Sequence, residues 1–253
     1  AKDVDVQVRS GETLGIVGES GSGKTTVARS IARLIAPSSG KVLIDGTDWA
    51  TLSESALRPR RKKVQIVFQD PYRSLNPRRT VGASVIEGPM NYGSEREASL
   101  ERARELMQLV GLSPDALSRY PHQFSGGQRQ RIAIARALAL DPEILIADEA
   151  VSALDVSVQA QVLKLLDDVR KQFGLAVLFI THDLRVAAQI CDRIAVMQNG
   201  VVVEEGHTEA IFADPQHAYT KALFAAAPGR EMGLGADLIS EREAVLRAAD
   251  EIA

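Results

Sequence analysis

The sequence predicts an α/β fold built on a mainly parallel sheet, with an antiparallel β element and an inserted helical subdomain. Three observations carry the prediction. Short apolar runs of strand length at 14–17, 42–44, 64–68, 144–147 and 176–180 are separated by helical stretches, and strands alternating with helices form parallel sheets. Between Pro71 and Asp141 strand signals vanish, and helical periodicity takes over at 98–110 and 128–140. Near the end, runs at 194–197 and 201–203 flank Asn199-Gly200, the residue pair of a tight hairpin.

Taken in order, the chain goes straight from Ala1 into alternation, Val4, Val6 and Val8 against Asp5, Gln7 and Arg9. That pattern predicts a half-buried strand. Entered so abruptly and without a methionine, it leads to the expectation of missing N-terminal sequence. The run at 14–17 stops in a glycine-rich turn, and a helix is expected from Lys24 to about Ile35, ended by Pro37 and Gly40. The basic run at 58–63 reads as a solvated face rather than a nucleic-acid patch. The expected organisation is one domain over 1–228, with an α/β core at about 1–70 and 142–228 and a helical subdomain at about 71–141. A tail at 229–253, acidic and alanine-rich, has no clear apolar face and no functional reading.

Composition narrows the class. A chain of 253 residues buries about 70–75% of its unfolded surface and needs no disulfides. Its single cysteine, Cys191, excludes an intramolecular disulfide and any centre built from several cysteines, and suits a reducing compartment. Thirty basic and 33 acidic residues nearly cancel, against a large nucleic-acid footprint. The apolar run at 175–180 falls far short of a membrane span, and no signal peptide is visible. A soluble intracellular globular protein is expected.

Two motifs carry chemistry, and a third extends them. Gly18, Glu19, Ser20, Gly21, Ser22, Gly23, Lys24 and Thr25 match GxxxxGK[ST]. The glycines let backbone N–H groups turn toward phosphates, and the following helix, which begins Lys24-Thr25-Thr26, adds its positive end. Lys24 can reach the outer phosphates and the Thr25 hydroxyl can ligate Mg²⁺. The apolar run at 144–147 delivers Asp148 and Glu149 at a strand's C-terminal end, where ligands of parallel sheets sit. Asp148 suits the Mg²⁺ shell, and Glu149 the orientation or deprotonation of an attacking water. Finally Ser125, Gly126, Gly127 and Gln128 open a helix. They can cap it and also form a second anion site. One nucleotide does not need two cradles on one chain, so a second copy could use the spare one.

These residues together resemble the ATP-binding subunit of an ABC transporter, in the expected order over nearly the whole chain. Ser125–Gln128 matches the signature motif, Gln69 resembles the Q-loop glutamine, Ser152-Ala-Leu-Asp155 the D-loop and His182 the switch histidine. Asp70-Pro-Tyr-Arg-Ser-Leu-Asn-Pro77, residues 152–161 and Pro215-Gln-His-Ala-Tyr-Thr-Lys-Ala-Leu223 resemble the oligopeptide, dipeptide and nickel importer ATPases. Ala218 replaces a usual proline, and Ala150-Val151 stands where many members have a proline first; neither touches a phosphate or metal group, so activity is expected to survive. The cysteine-rich cluster of some relatives is impossible with Cys191 alone.

The resemblance implies a P-loop NTPase (RecA-like) core that hydrolyses ATP with Mg²⁺. Its catalytic set is Glu149, His182, Lys24 and Gln69, its metal set Thr25, Gln69 and Asp148. Gly18 to Thr26, Gln69, Asp148 and Ser125 to Gln128 form the nucleotide set. Two such domains sandwich two ATPs head to tail, as homodimer or heterodimer. Integral membrane permease subunits dock near Asp70–Pro77, a solute-binding protein outside the membrane acts indirectly, and no nucleic acid is bound. The place of work is cytoplasmic, peripheral on the inner face of the membrane. The resemblance also puts an adenine-stacking aromatic side chain just upstream of the stretch equivalent to 1–9. A chain starting at Ala1 is therefore expected to bind ATP about five- to 150-fold more weakly and to leave an open sheet edge. Two alternatives stand beside this reading. One is an ABC-type ATPase acting on DNA or the ribosome, against which only 55 residues separate Gln69 from Ser125. The other is an excised half of a fused tandem ATPase.

Overall fold

The computed structural model describes residues 1–70 and 74–226. Six strands form one sheet in the order β4-β5-β6-β1-β7-β8. They are β1 Thr13–Val17, β4 Val64–Phe68, β5 Ile144–Asp148, β6 Ala176–Thr181, β7 Arg193–Gln198 and β8 Val201–His207. All neighbours are parallel except β7 and β8. Those two are joined at Asn199 (φ 50) and Gly200 (φ 87), two left-handed residues that suit the twist of a tight hairpin. Two short strands, β2 Leu43–Ile44 and β3 Thr47–Asp48, form a separate antiparallel pair.

Every residue of β1 and β6 is buried, as a parallel strand covered on both faces must be. The alternation of side chains divides these strands and β5 between two cores. Leu145, Val177 and Phe179 join the larger one, while Leu14, Ile16, Ile146, Leu178 and Ile180 join a second with Trp49 and Leu57.

The helices are α1 Lys24–Ile31, α2 Glu54–Leu57, α3 Val81–Asn91, α4 Arg96–Leu109, α5 Gly126–Leu138, α6 Val156–Phe173, α7 Leu184–Ile190, α8 Thr208–Ala213 and α9 Ala218–Ala226. Among the described residues no strand lies between Phe68 and Ile144, and α3, α4 and α5 bury Val85, Leu106 and Ile132 in the larger core. Helix α3 is not singled out by periodicity because Gly82, Gly88 and Pro89 interrupt its apolar pattern. The predicted helices at 98–110 and 128–140 begin two residues earlier and end one or two earlier.

Three expectations are corrected or bounded. The segment with Val4, Val6 and Val8 is not a strand: those side chains pack half-buried on the second core, but the backbone joins no ladder. Alternation is satisfied by any extended chain lying on a core, whereas a ladder also needs a free strand edge in register. Helix α1 ends at Ile31, not Ile35. Leu34 N–H donates to Arg29 O at 2.8 Å and Arg33 N–H to Ser30 O at 3.1 Å, a Schellman turn with Arg33 in the left-handed position (φ 54). The Arg33 side chain holds that position by donating Nε–H to Trp49 O at 2.9 Å. The expected tail at 229–253 and residues 71–73 of the proposed docking segment lie outside the described residues.

Candidate active site

Strand register assembles the site. Phe68 pairs with Asp148, Asp148 with Ile180, and Val17 with Thr181. Parallel strands in step end at one edge of the sheet. The residues that follow those ends, Gly18, Gln69, Glu149 and His182, therefore emerge side by side.

The loop from Gly18 to Thr25 leaves β1 at a position only glycine fills. Gly18 has φ +150, and a Cβ there would lie 2.2 Å from Met197 O. The β7–β8 hairpin braces the loop again where Gly200 N–H donates to Ser22 O at 2.9 Å. Lys24 is buried and its ammonium donates to Gly18 O at 2.7 Å and Glu19 O at 2.8 Å. Burial pushes the Lys24 pKa below its ordinary value, against the opposing pull of Glu149 and Asp148. The N-cap of α1 is Gly23, without a side-chain cap, and the N–H groups of Lys24, Thr25 and Thr26 make no hydrogen bond among the described residues. Ser22 Oγ is also buried and unpartnered. Donors without acceptors in a glycine-built concavity, the buried Ser22 hydroxyl among them, fit a bound polyphosphate.

The carboxylates stand beside this cradle. Thr25 Oγ1 donates to Asp148 Oδ1 at 3.1 Å. Burial raises the Asp148 pKa above the ordinary carboxylate range, partly offset by the Thr25 hydrogen bond. Hydroxyl and carboxylate oxygens are the donors that Mg²⁺ prefers, completed by water and substrate phosphates. Among the described residues no group of three or more His, Cys, Asp or Glu could hold an ion unaided.

Glu149 sits in the left-handed region at φ 50. A non-glycine residue there costs about 1–3 kcal/mol and persists only where its surroundings overdetermine it. They do: Glu149 N–H donates to Ile180 O at 2.9 Å, and Glu149 O accepts from Ser152 N–H at 3.1 Å and Ser152 Oγ at 3.0 Å. The turn aims the carboxylate at His182, whose Nδ1 lies 3.4 Å from Glu149 Oε1. Gln69 joins through its amide, which donates to Ser152 Oγ at 3.2 Å, rather than through Thr25 or Asp148.

Ser125, Gly126, Gly127 and Gln128 belong to a different place. Ser125 Oγ accepts from Gln128 N–H at 3.3 Å, and Gln128 Oε1 accepts from Ser125 N–H at 3.0 Å, a reciprocal cap on α5. Gly127 lets α5 approach α6, since a Cβ would lie 2.2 Å from Val158 Cγ1. Among the described residues no hydrogen bond or ion pair connects this cap with Gly18–Thr25. Two contributors escape a reading of motifs. Arg29, one turn into α1, acts electrostatically on Asp148, and Tyr219 touches the phosphate loop. The first carries a helical spacing from Thr25 that could have flagged it; the second lies in the segment at 215–223 quoted above for its resemblance, where nothing local ties it to the phosphate loop.

Comparisons with known proteins agree with this geometry. A family model described as ABC transporter matches residues 1–152. A protein of Brucella ovis named for peptide import and ATP binding is 52% identical over 89% of this chain and 72% of its own length. A peptide ABC transporter ATP-binding protein of Sinorhizobium fredii is 55% identical over 90% of this chain and 65% of its own. A glutathione import ATP-binding protein of Salmonella typhi is 50% identical over 90% of this chain and 37% of its own. Among solved structures, cbiO1 of Clostridium perfringens, part of the transporter complex cbiONQ, superposes with a TM-score of 0.77 at 27% identity, covering 91% of this chain and 89% of that one. A dimeric ATP-binding cassette bound to ADP and phosphate gives 0.71 at 34% identity, covering 81% and 89%.

Proposed function

The chain belongs to the ABC transporter family, as an ATP-binding and ATP-hydrolysing subunit, and on that premise we propose that it powers import of peptides or a similar small solute. The observation that carries the reading is the shared sheet edge, where strand register gathers Lys24, Thr25, Gln69, Asp148, Glu149 and His182. Relatives named for peptide and glutathione import support the solute class.

In this reading the glycine-rich backbone and Lys24 hold the phosphates of ATP, the ammonium exchanging its own loop carbonyls for phosphate oxygens. Thr25 and Asp148 hold Mg²⁺, which supplies positive charge against the phosphate oxygens. Glu149 accepts the proton of the attacking water, and His182, beside it, holds that carboxylate and the terminal phosphate in line. Gln69, tied to Ser152 and so to the Glu149 carbonyl, links the site to the segment at 70–77. Ser125, Gly126, Gly127 and Gln128 complete the site of a second copy paired head to tail, which accounts for a cap outside the first site.

The same reading assigns the α/β core to about 1–70 and 142–228, and the helical subdomain to about 71–141. Among the described residues no helix is long and apolar enough to cross a membrane. Permease subunits supply the crossing, this chain lies on its cytoplasmic face, and a solute-binding protein delivers the cargo from the other side. Deleting the gene from an amino-acid auxotroph of its host tests the solute class. Growth on a peptide containing the required amino acid should be lost, then restored by the wild-type gene and not by Glu149→Gln. Unchanged peptide-dependent growth after deletion would overturn the peptide reading.

A further inference from the structure

The second residue of the phosphate loop is held from far away. Glu19 N–H donates to Tyr219 Oη at 3.2 Å, across 200 residues of sequence. The carbonyl of the same residue is held from the other side, by Lys24 Nζ at 2.8 Å and by Ser22 N–H at 3.2 Å.

Tyr219 sits on an anchored support. The Glu204 carboxylate of β8 accepts from Gln216 N–H at 2.7 Å and His217 N–H at 3.0 Å, immediately before α9. Thr220 is fully buried, and Phe224 packs on Phe212 with ring centroids 4.7 Å apart. The Tyr219 ring is only half-buried, so water could satisfy its hydroxyl, and burial does not force the bond to Glu19. The bond has a use in the loop instead. For Lys24 to reach a phosphate it must release Gly18 O and Glu19 O, and Tyr219 is then the side chain that still fixes the Glu19 peptide.

We propose that Tyr219 is a positioning residue for nucleotide binding, holding the phosphate loop in its receptive shape and making α9 part of the nucleotide site. This rests on reading Gly18–Thr25 as the ATP cradle, and it gives the segment at 215–223 a role inside the ATPase. By linkage, nucleotide that orders the loop must also steady α9.

The full chain is compared as wild type, Tyr219→Phe and Phe224→Leu, the last loosening α9 while keeping the hydroxyl. Mg-ADP is the binding probe. Tyr219→Phe should weaken Mg-ADP binding and raise the KM for ATP by about two- to tenfold, the worth of one neutral hydrogen bond, with kcat within about twofold. Mg-ADP should slow amide exchange across residues 218–226 in wild type and not in Tyr219→Phe. Phe224→Leu should lower the Tm yet keep the nucleotide-dependent slowing. Equal affinity and equal protection in wild type and Tyr219→Phe would overturn this inference alone. Equal weakening by Tyr219→Phe and Phe224→Leu would also overturn it, leaving only helix packing. A wild-type chain that binds no nucleotide would overturn both this inference and the reading beneath it.

Discussion

The Thr25 hydroxyl donates to Asp148 Oδ1 at 3.1 Å, joining residues 123 positions apart. The first turn of α1 thus meets the last residue of β5, which is also where burial makes a carboxylate expensive to ionise. Relative to the ordinary 3.8, the Asp148 pKa is raised. The folded chain therefore binds this proton more tightly than the unfolded chain does. The stability so gained is fully present below the unfolded pKa and lost as pH rises through the folded one.

At neutral pH the ionised Asp148 is a cost that Asp148→Asn removes. We expect the variant, free of nucleotide and Mg²⁺, to melt higher than wild type, by about 2–4 °C for each kcal/mol relieved. Its turnover should fall about 100-fold or more. Calorimetry and a steady-state ATPase assay check the two halves, and a lower melting temperature with intact turnover would contradict both.

Glu149→Gln leaves the backbone turn intact, because the bonds to Ile180 and Ser152 are made by main-chain atoms of residue 149. Hydrolysis should drop by about 10²–10⁴-fold with ATP binding retained. Size-exclusion chromatography with light scattering should then show a dimer that depends on Mg-ATP. Hydrolysis at the wild-type rate would remove Glu149 from the role of base.

Ser125 is assigned two tasks, and two substitutions separate them. Ser125→Ala loses the bond from Gln128 N–H and should cost about 1 kcal/mol of stability. Ser125→Asp keeps a good cap but sets a carboxylate where a partner's phosphates should lie. It should recover the stability seen by urea unfolding and fail to recover turnover. Wild-type turnover in Ser125→Asp would confine Ser125 to capping.

Ala218 opens α9, and its N–H makes no hydrogen bond among the described residues. The first position of a helix suits proline. Ala218→Pro should therefore raise stability by about 0.4–1 kcal/mol, read as a higher urea midpoint with an unchanged slope. A lower midpoint would show that the backbone entering α9 cannot accept the ring.

Much of this molecule is legible in short stretches. Val64–Phe68 is the strand that the run at 64–68 predicts, and Asn199-Gly200 makes the hairpin turn its residue types require. The loop at 18–25 and the cap at 125–128 are equally local, since their chemistry depends on residues within one turn of each other. Helix α6, not among the predicted elements, has equally local signals: Asp155 caps it, Gly174 ends it at φ 64, and Val162, Leu166 and Val169 recur on its buried face. The alternation at 4–8 misleads because it reports only which side chains face a core.

The sequence by itself determined the chemistry of each part: a phosphate loop, a strand ending in two carboxylates, a capped glycine-rich helix start, and the family they resemble together. Only the tertiary structure decided which parts meet. Gln69 is joined to Ser152, Thr25 to Asp148 and Glu19 to Tyr219, while the cap at Ser125 stands apart. Spacing within a turn is set by local backbone geometry. The meeting of residues 83, 123 or 200 positions apart is set by strand register, helix packing and a buried core, to which the whole chain contributes.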